Sequence, residues 1–374
     1  MTKHSYDCII VGGGVIGLLT ARLLQQNHLN TLVLDQAKSG QESTWAGGGI
    51  LSPLYPWRWS DEINQLASWS QNAYHELTKQ LWGETGIDAE HLHCGMLVLD
   101  EVDADEIEDW STRFSQTVEP IAAPALRTRF ANLAPSFQSG YLLPDICQVR
   151  NPRLGKALRA SLHPRGIDLI ENRQATRILH ENGRVLGVDT GQGAFYADRV
   201  VIACGAWSAQ LLDEWQPPLP IYPVKGQMIV LAGPPELHSP ITMHEGHYLI
   251  PRKDGRILVG STVEHAGFNK ETTVEAIDQL RKAAISICPT LERFPIETKW
   301  AGLRPGSADQ KPFIGPHPAL EGLYINAGHF RNGLTLAPGS ARLLSDLMLG
   351  NPTFMDAAPF AVERAVSPLS SQAE

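Results

Sequence analysis

Short, nearly uninterrupted apolar runs bounded by glycine alternate along this chain with stretches of helical spacing. Tyr6-Asp7-Cys8-Ile9-Ile10-Val11 is such a run, suited to a parallel strand buried on both faces. Gly12 to Gly17 turn the chain, Val15 to Gln26 carry apolar positions at helical spacing, and Thr31-Leu32-Val33-Leu34-Asp35 forms a second buried strand. The pattern predicts a strand-helix-strand unit at the start. Farther on, Leu154, Ala157, Leu158, Ser161 and Leu162 predict a helix from about Asn151, followed by strands at Asp168–Ile170, Thr176–His180 and Val185–Asp189. Arg199 to Ala203 reads as another buried strand, running into Cys204-Gly205-Ala206-Trp207-Ser208.

A different pattern then sets in. Pro217, Pro218, Pro220 and Pro223 stiffen a crossover, after which Val224–Leu231, Tyr248–Pro251 and Arg256–Gly260 predict strands of an antiparallel sheet. Val274, Ile277, Leu280, Ala284 and Ile287 mark one face of a helix over Thr273–Ile287 that stops before Pro289. Gly322 to Gly328 returns to the buried-strand style, a last helix is predicted from Leu334 to Leu349, and the small polar residues after about Val366 are expected to fray.

With 374 residues the chain exceeds what one core supports, and its 43% hydrophobic and 19% charged residues are those of a globular protein. The expectation is an α/β fold with an α+β second domain. Residues 1–82, 148–215 and 300–374 are assigned to a discontinuous dinucleotide-binding domain, and 83–147 and 216–299 to a substrate domain. A net charge of −9 without a basic cluster argues against nucleic acid as a partner. No run reaches the ~18–20 apolar residues that span a bilayer, and glycines break the stretch from Cys8 to Leu24, so neither membrane anchor nor signal peptide is expected. The five cysteines contain no CxxC, which suits reduced thiols in the cytoplasm. The histidine pairs His91/His93 and His244/His247 lack neighbouring ligands at metal spacing, so no metal site is expected.

Gly12, Gly14 and Gly17 form G-x-G-x-x-G between strand and helix. The first allows the turn, the second lets backbone approach a pyrophosphate, and the third lets helix pack on strand. Asp35, at the end of the second strand, is placed to accept from a ribose hydroxyl. NAD and FAD both use this fingerprint. A second glycine-rich segment, Ser43-Thr44-Trp45-Ala46-Gly47-Gly48-Gly49-Ile50, again implies close approach of backbone to a large group. Arg304, in Gly-Leu-Arg-Pro-Gly, and Arg331, in Phe-Arg-Asn-Gly, stand among small or rigid residues, where a guanidinium fork can meet a carboxylate bidentately. Tyr248 opens a strand and can present its hydroxyl to the same ligand.

The Gly12–Gly17 fingerprint, Ser43 to Pro53, Ala203 to Ser208, Trp300 to Gly306 and His329 to Leu334 together resemble the D-amino acid oxidase superfamily, most closely its bacterial glycine oxidases of thiamine thiazole synthesis. The resemblance runs in order from about residue 6 to 349. It implies a Rossmann-like FAD-binding domain of the glutathione-reductase type, a substrate domain with a large antiparallel sheet, and oxidation of glycine, sarcosine and small D-amino acids, with oxygen as acceptor. By similarity, Val15, Ile16, Asp35, Gln36, Ser43, Thr44, Gly48, Gly49, Ile50 and the backbone of Ala175 line FAD. His329, Phe330, Arg331, Asn332, Gly333, Leu334 and Thr335 are placed there as well. Tyr248, Arg304 and Arg331 are placed at the substrate. A helix starting at Leu334 would direct its N-terminus at the flavin's pyrimidine edge.

The chain departs from the pattern at three places. Gly246 replaces a histidine, Asp35 replaces a longer glutamate, and the bulky Trp57-Arg58-Trp59 segment has room to narrow the entrance. Relatives that tether flavin use a cysteine near the Arg304 region, but no cysteine follows Cys288, so FAD is expected to be non-covalent. A D-amino acid or N-methyl amino acid oxidase or dehydrogenase on the same scaffold, and the flavin module of a tRNA-modifying protein, are the alternatives. A homo-oligomer is left open.

Overall fold

The computed structural model describes residues 5–214, 218–233 and 240–366. Pro217 of the proline crossover and the tail after Val366 lie outside them. A six-stranded sheet runs in the order Phe313–Pro316, Leu323–Ala327, Val200–Ile202, Cys8–Val11, Thr31–Leu34 and Asp168–Ile170. Neighbours are parallel except at the Phe313–Pro316 edge.

Side chains alternate across this sheet, as the pleat requires. Cys8, Ile10, Val33 and Val201 pack against the helices Val15–Gln26, Asp61–Thr85 and Ala337–Leu349. Ile9, Val11, Leu32, Leu34, Val200 and Ile202 face the opposite way, onto a four-stranded sheet built from Ser5–Tyr6, Ala194–Ala197, Arg184–Asp189 and Arg177–Glu181. Each such fully buried aliphatic side chain contributes roughly 1.5–3 kcal/mol, which explains why these strands read as continuous apolar runs.

The second layer is an eight-stranded sheet. Its order is Ile296–Ser307, Ile221–Ala232, Arg256–Gly260, His247–Pro251, Ile241–His244, Met96–Val98, Ser139–Leu143 and Glu119–Ala122. It is antiparallel apart from the pair Ile241–His244 with Met96–Val98, where two distant segments of chain meet. The helix Val274–Ile287 covers one face against Ile229, Leu231, Leu249 and Val259. Met228, Val230, Tyr248 and Ile250 point from the other face and pack with Ile50, Tyr55 and Trp57. The strand period thus sends Tyr248 and Met228 toward the glycine-rich segment. The strands Ile221–Ala232 and Ile296–Ser307 pair along nearly their whole length, with Val224 opposite Arg304. The domain junction expected between residues 299 and 300 falls inside the second of these strands.

Several elements differ from expectation, three of them beside the glycine turn and the cavity. The strand drawn over Tyr6–Val11 is divided at Asp7, so that Ser5–Tyr6 pairs in the four-stranded sheet and Cys8–Val11 in the six-stranded one. The last helix starts at Ala337 and not at Leu334, because a 3-10 turn over Phe330–Asn332 comes first and Pro338 fits only in the first turn of a helix. The 25-residue helix Asp61–Thr85 was not predicted, although it is the longest in the described residues. All five cysteines are free thiols.

Candidate active site

At the first glycine turn the requirements of the chain separate from those of a ligand. A Cβ on Gly12, whose φ is +111°, would lie 2.3 Å from the Ala203 carbonyl oxygen, and one on Gly17 would lie 1.9 Å from that of Gly12. Both glycines are demanded by packing. A Cβ on Gly14 would meet only the Thr44 Oγ1, at 3.4 Å, so the protein leaves that space open. The Thr44 hydroxyl accepts from the Val15 N–H at 2.9 Å, whereas the N–H groups of Gly14 and Ile16 have no acceptor among the described residues. An opening flanked by outward N–H groups at a helix N-terminus fits a pyrophosphate.

Asp35 accepts from the Gly13 N–H at 2.8 Å and the Ala37 N–H at 2.9 Å. Burial raises its pKa above the usual carboxylate value, and these two backbone donors work against that. Each oxygen retains acceptor capacity for a ribose hydroxyl.

A cavity of about 400 Å³ runs from this turn to the large sheet. Gly12, Gly14, Val15, Ile16, Asp35 and Gln36 line its first end, with Ala175. Ser43, Thr44, Gly48, Gly49 and Ile50 line the middle, and His329, Phe330, Gly333 and Leu334 form the wall beside them. Tyr248, Arg304 and Arg331 close the far end. Gly17, Asn332 and Thr335 do not line the cavity. Gly17 packs against the turn, the Asn332 carbonyl accepts from the Leu336 N–H, and the Thr335 hydroxyl donates to the Ile50 carbonyl at 3.1 Å.

The middle segment is a one-turn helix, Ser43–Ala46, followed by an extended Gly47 and by Gly49 at a φ of +81°. Asn151, fully buried, donates to the carbonyls of Thr44 and Trp45, each at 2.7 Å, and Ser43 donates to the Leu303 carbonyl at 2.5 Å. Opposite, Phe330 adopts the left-handed φ of +47°, an uncommon and costly conformation for a bulky residue. This turn leaves the N–H groups of Gly333, Leu334 and Thr335 without acceptors among the described residues. These donors precede the helix at Ala337 and supply the positive edge that the sequence had assigned to a helix end at Leu334. Tyr74, from the unpredicted helix, donates to the Leu334 carbonyl and anchors the turn from behind.

At the far end, one Arg304 guanidinium nitrogen donates to the Ser261 hydroxyl at 2.6 Å, and the other to the carbonyls of Thr262 at 3.1 Å and Lys225 at 3.3 Å. A Cβ on Gly226 would collide with the guanidinium, which therefore lies flat on that strand. Burial lowers the Arg304 pKa, the Tyr248 hydroxyl counteracts this, and the neighbouring Arg331 charge adds to the lowering. Neither arginine pairs with a carboxylate among the described residues, and Arg331 makes no hydrogen bond there. Two adjacent cations facing one cavity without an anion have the chemistry to receive a carboxylate. Leu54 and Met228, which the sequence did not single out, supply apolar wall; an aliphatic residue in a strand carries no signal of facing a ligand.

His329 is buried against the Ser340 hydroxyl at 3.1 Å, and burial pushes its pKa down to about 3. It stays neutral and holds no ammonium proton at neutral pH. Gly246 sits in the hairpin turn after Glu245, donating its N–H to the Tyr55 hydroxyl at 3.0 Å, and does not line the cavity. Trp57 is buried against Tyr55 and Trp110, Arg58 lies over the Tyr55 ring, and Trp59 donates to the Leu54 carbonyl. None of the three lines the cavity. No group of three or more His, Cys, Asp or Glu among the described residues is arranged to hold a metal ion.

The family model for FAD dependent oxidoreductases matches residues 7–347. The chain belongs to that family. This oxidoreductase is 44% identical to a glycine oxidase of Pseudomonas putida over 96% of its own length and 99% of that protein's. It is 34% identical to a bifunctional ThiO/ThiG protein of Synechocystis over 92% of its length, which corresponds to 51% of that larger protein. The crystal structure of glycine oxidase from Geobacillus kaustophilus superposes with a TM-score of 0.92 at 29% identity, covering 97% of this chain and 99% of that one. FAD is the cofactor of the family, and the open cradle at Gly14 fits it. No helix among the described residues is long and apolar enough to cross a membrane.

Proposed function

We propose that this oxidoreductase oxidises glycine, together with sarcosine and small D-amino acids, to the imine. Hydrolysis then gives the oxoacid with ammonia or methylamine, and oxygen is reduced to hydrogen peroxide. The observation that carries this reading is the pair Arg304 and Arg331, unpaired with any carboxylate among the described residues, beside Tyr248 at one end of a cavity whose other end is built for a dinucleotide.

FAD, when bound, supplies a hydride acceptor. The protein supplies binding and orientation. Arg304 and Arg331 grip the substrate carboxylate, and the Tyr248 hydroxyl steers it. Their anchorage fixes where the Cα hydrogen points. The substrate reacts as the free amine, and His329, buried against Ser340, is not placed to take its proton. The backbone donors of Gly333 and Leu334 face the cavity and stabilise negative charge gained there. Glycine offers no side chain to hold, and the carboxylate clamp answers that need.

Resident FAD is proposed to occupy the span from Gly14 and Asp35 to Ile50 and Leu334 without a covalent tether. Supply of iminoglycine to thiazole synthesis, a cytoplasmic location, and the two-domain division with the strand Ile296–Ser307 bridging both parts belong to the same proposal. An aerobic peroxide assay over glycine, sarcosine, D-alanine, L-alanine and bulky D-amino acids tests it. Peroxide with the first three supports the reading. Strong turnover of L-alanine, or of bulky D-amino acids with none of glycine or sarcosine, refutes it.

A further inference from the structure

Arg252 is buried to 3% exposure, and its guanidinium has no ion pair of its own among the described residues. The nearby acids Glu90 and Asp254 are instead bridged by Arg150. Burial pushes the Arg252 pKa down to about 10, which still leaves the group charged at neutral pH. A buried cation retained without an anion is costly, so its hydrogen bonds must offset that cost.

Those bonds join three segments that meet at the middle of the cavity. One terminal nitrogen donates to the Gly48 carbonyl at 2.7 Å; the other donates to the Gln148 side-chain oxygen at 2.6 Å and the Val149 carbonyl at 3.0 Å. Gln148 returns a bond to the Pro251 carbonyl at 3.0 Å, and the Val149 N–H donates to the Gly49 carbonyl at 2.8 Å. Gly49, at φ +81°, is forced by the same junction, since a Cβ there would lie 2.0 Å from the Val149 carbonyl oxygen. Arg252 follows directly on the strand His247–Pro251 that bears Tyr248, whereas Gly48 to Ile50 line the cavity.

We propose that Arg252 is a positioning residue that locks the cavity-lining backbone of Gly48–Ile50 to the strand carrying Tyr248, and so sets the FAD site and the substrate end in register. Its planar fork reaches the Gly48 carbonyl on one side and the Gln148–Val149 pair on the other. An ammonium group satisfies only one side at a time.

The test uses apoprotein of the parent, Arg252→Met and Arg252→Lys, titrated with FAD by flavin fluorescence, alongside thermal melting. No amino acid is needed, so the result does not depend on glycine being the substrate. The expected outcome is FAD affinity lowered about tenfold or more in R252M, with R252K intermediate. R252M that binds FAD as the parent does, or that loses only melting temperature, overturns the proposal, because the residue would then serve packing alone. R252K that binds FAD as tightly as the parent also overturns it, since a point charge would then do what the fork is proposed to do. Should R252M not fold, R252K decides. Weaker FAD binding at the parent melting temperature supports the lock, and parent-like binding refutes it.

Discussion

Replacing Arg304 with alanine removes the group best placed to hold a substrate carboxylate. In the structure the guanidinium is fixed by Ser261, Thr262 and Lys225 and rests on Gly226, so it reaches the cavity with little freedom left to lose. Alanine leaves two carbonyls and a hydroxyl without their donor and leaves the substrate carboxylate with Arg331 alone. Loss of one member of a buried, hydrogen-bonded charge pair costs ~2–5 kcal/mol. At 1.36 kcal/mol per decade that is roughly 30- to 5,000-fold in kcat/KM. Because Arg331 still attracts the carboxylate, the loss should fall toward the lower end, and Arg304→Ala with Arg331→Ala should cost more than the sum of the single effects, since neither arginine is then left to compensate. Arg304→Lys should recover only part, since its single ammonium is drawn toward the Thr262 and Lys225 carbonyls and offers no fork. The assay is steady-state peroxide formation from glycine, with the flavin spectrum confirming full FAD content. Parent-like kcat/KM in R304A would refute the reasoning and move the carboxylate elsewhere.

Gly14→Val should abolish FAD retention yet leave a folded apoprotein, because a Cβ there meets only the Thr44 hydroxyl; Gly17→Ala should instead unfold the turn, and circular dichroism with flavin release separates the two. His329, with its pKa pushed from 6.5 down to about 3, favours the folded state fully above pH 6.5 and loses that contribution as pH falls toward 3. Urea unfolding from pH 7 to 4 should show the parent losing more stability than His329→Gln, and parallel curves would contradict this. Glu84, held down at about 2 although burial raises it, is paired with Arg165 and with Arg22, whose side chain is only 3% exposed. Glu84→Gln should cost ~3–5 kcal/mol by leaving Arg22 as a buried charge without its partner, and a loss below 1 kcal/mol on denaturation would show that the pair is dispensable.

The buried parallel strands, the first helix, the glycine turn and Asp35 were legible because each is a local rule expressed in adjacent residues. The two arginines that line the cavity stood out for a related reason, since their neighbours in sequence are small and rigid. The helix Asp61–Thr85 was not, because its buried face includes Asn64, Ser70 and Thr78 and so blurs the apolar period. Ser70 and Thr78 donate to carbonyls one turn back, and Asn64 and Ser70 also bond to partners outside the helix. Asn64 donates to the Pro56 carbonyl and accepts from Trp110, and the Ser70 hydroxyl accepts from the Gly339 N–H.

The sequence by itself determined the dinucleotide cradle, since glycine spacing and a strand-end carboxylate act within one short unit. It also singled out Arg304 and Arg331, which the structure brings together at one end of the cavity. Only the tertiary structure decided how these meet. Arg304 faces the cavity because Gly226, on a strand paired with its own, gives it a bed. Asp7 ends one sheet and begins another because Tyr6 pairs with Ala197 and Ile9 with Val200, strands of two different sheets nearly two hundred residues away. The donors of Gly333 to Thr335 are free because Phe330 takes a left-handed turn that its side chain would not choose alone. Arg252 is held because two segments far apart in the chain, Gly48 and Gln148–Val149, present oxygen atoms to one guanidinium. Such long-range arrangements are decided by the summed packing of both layers, which no window along the chain contains.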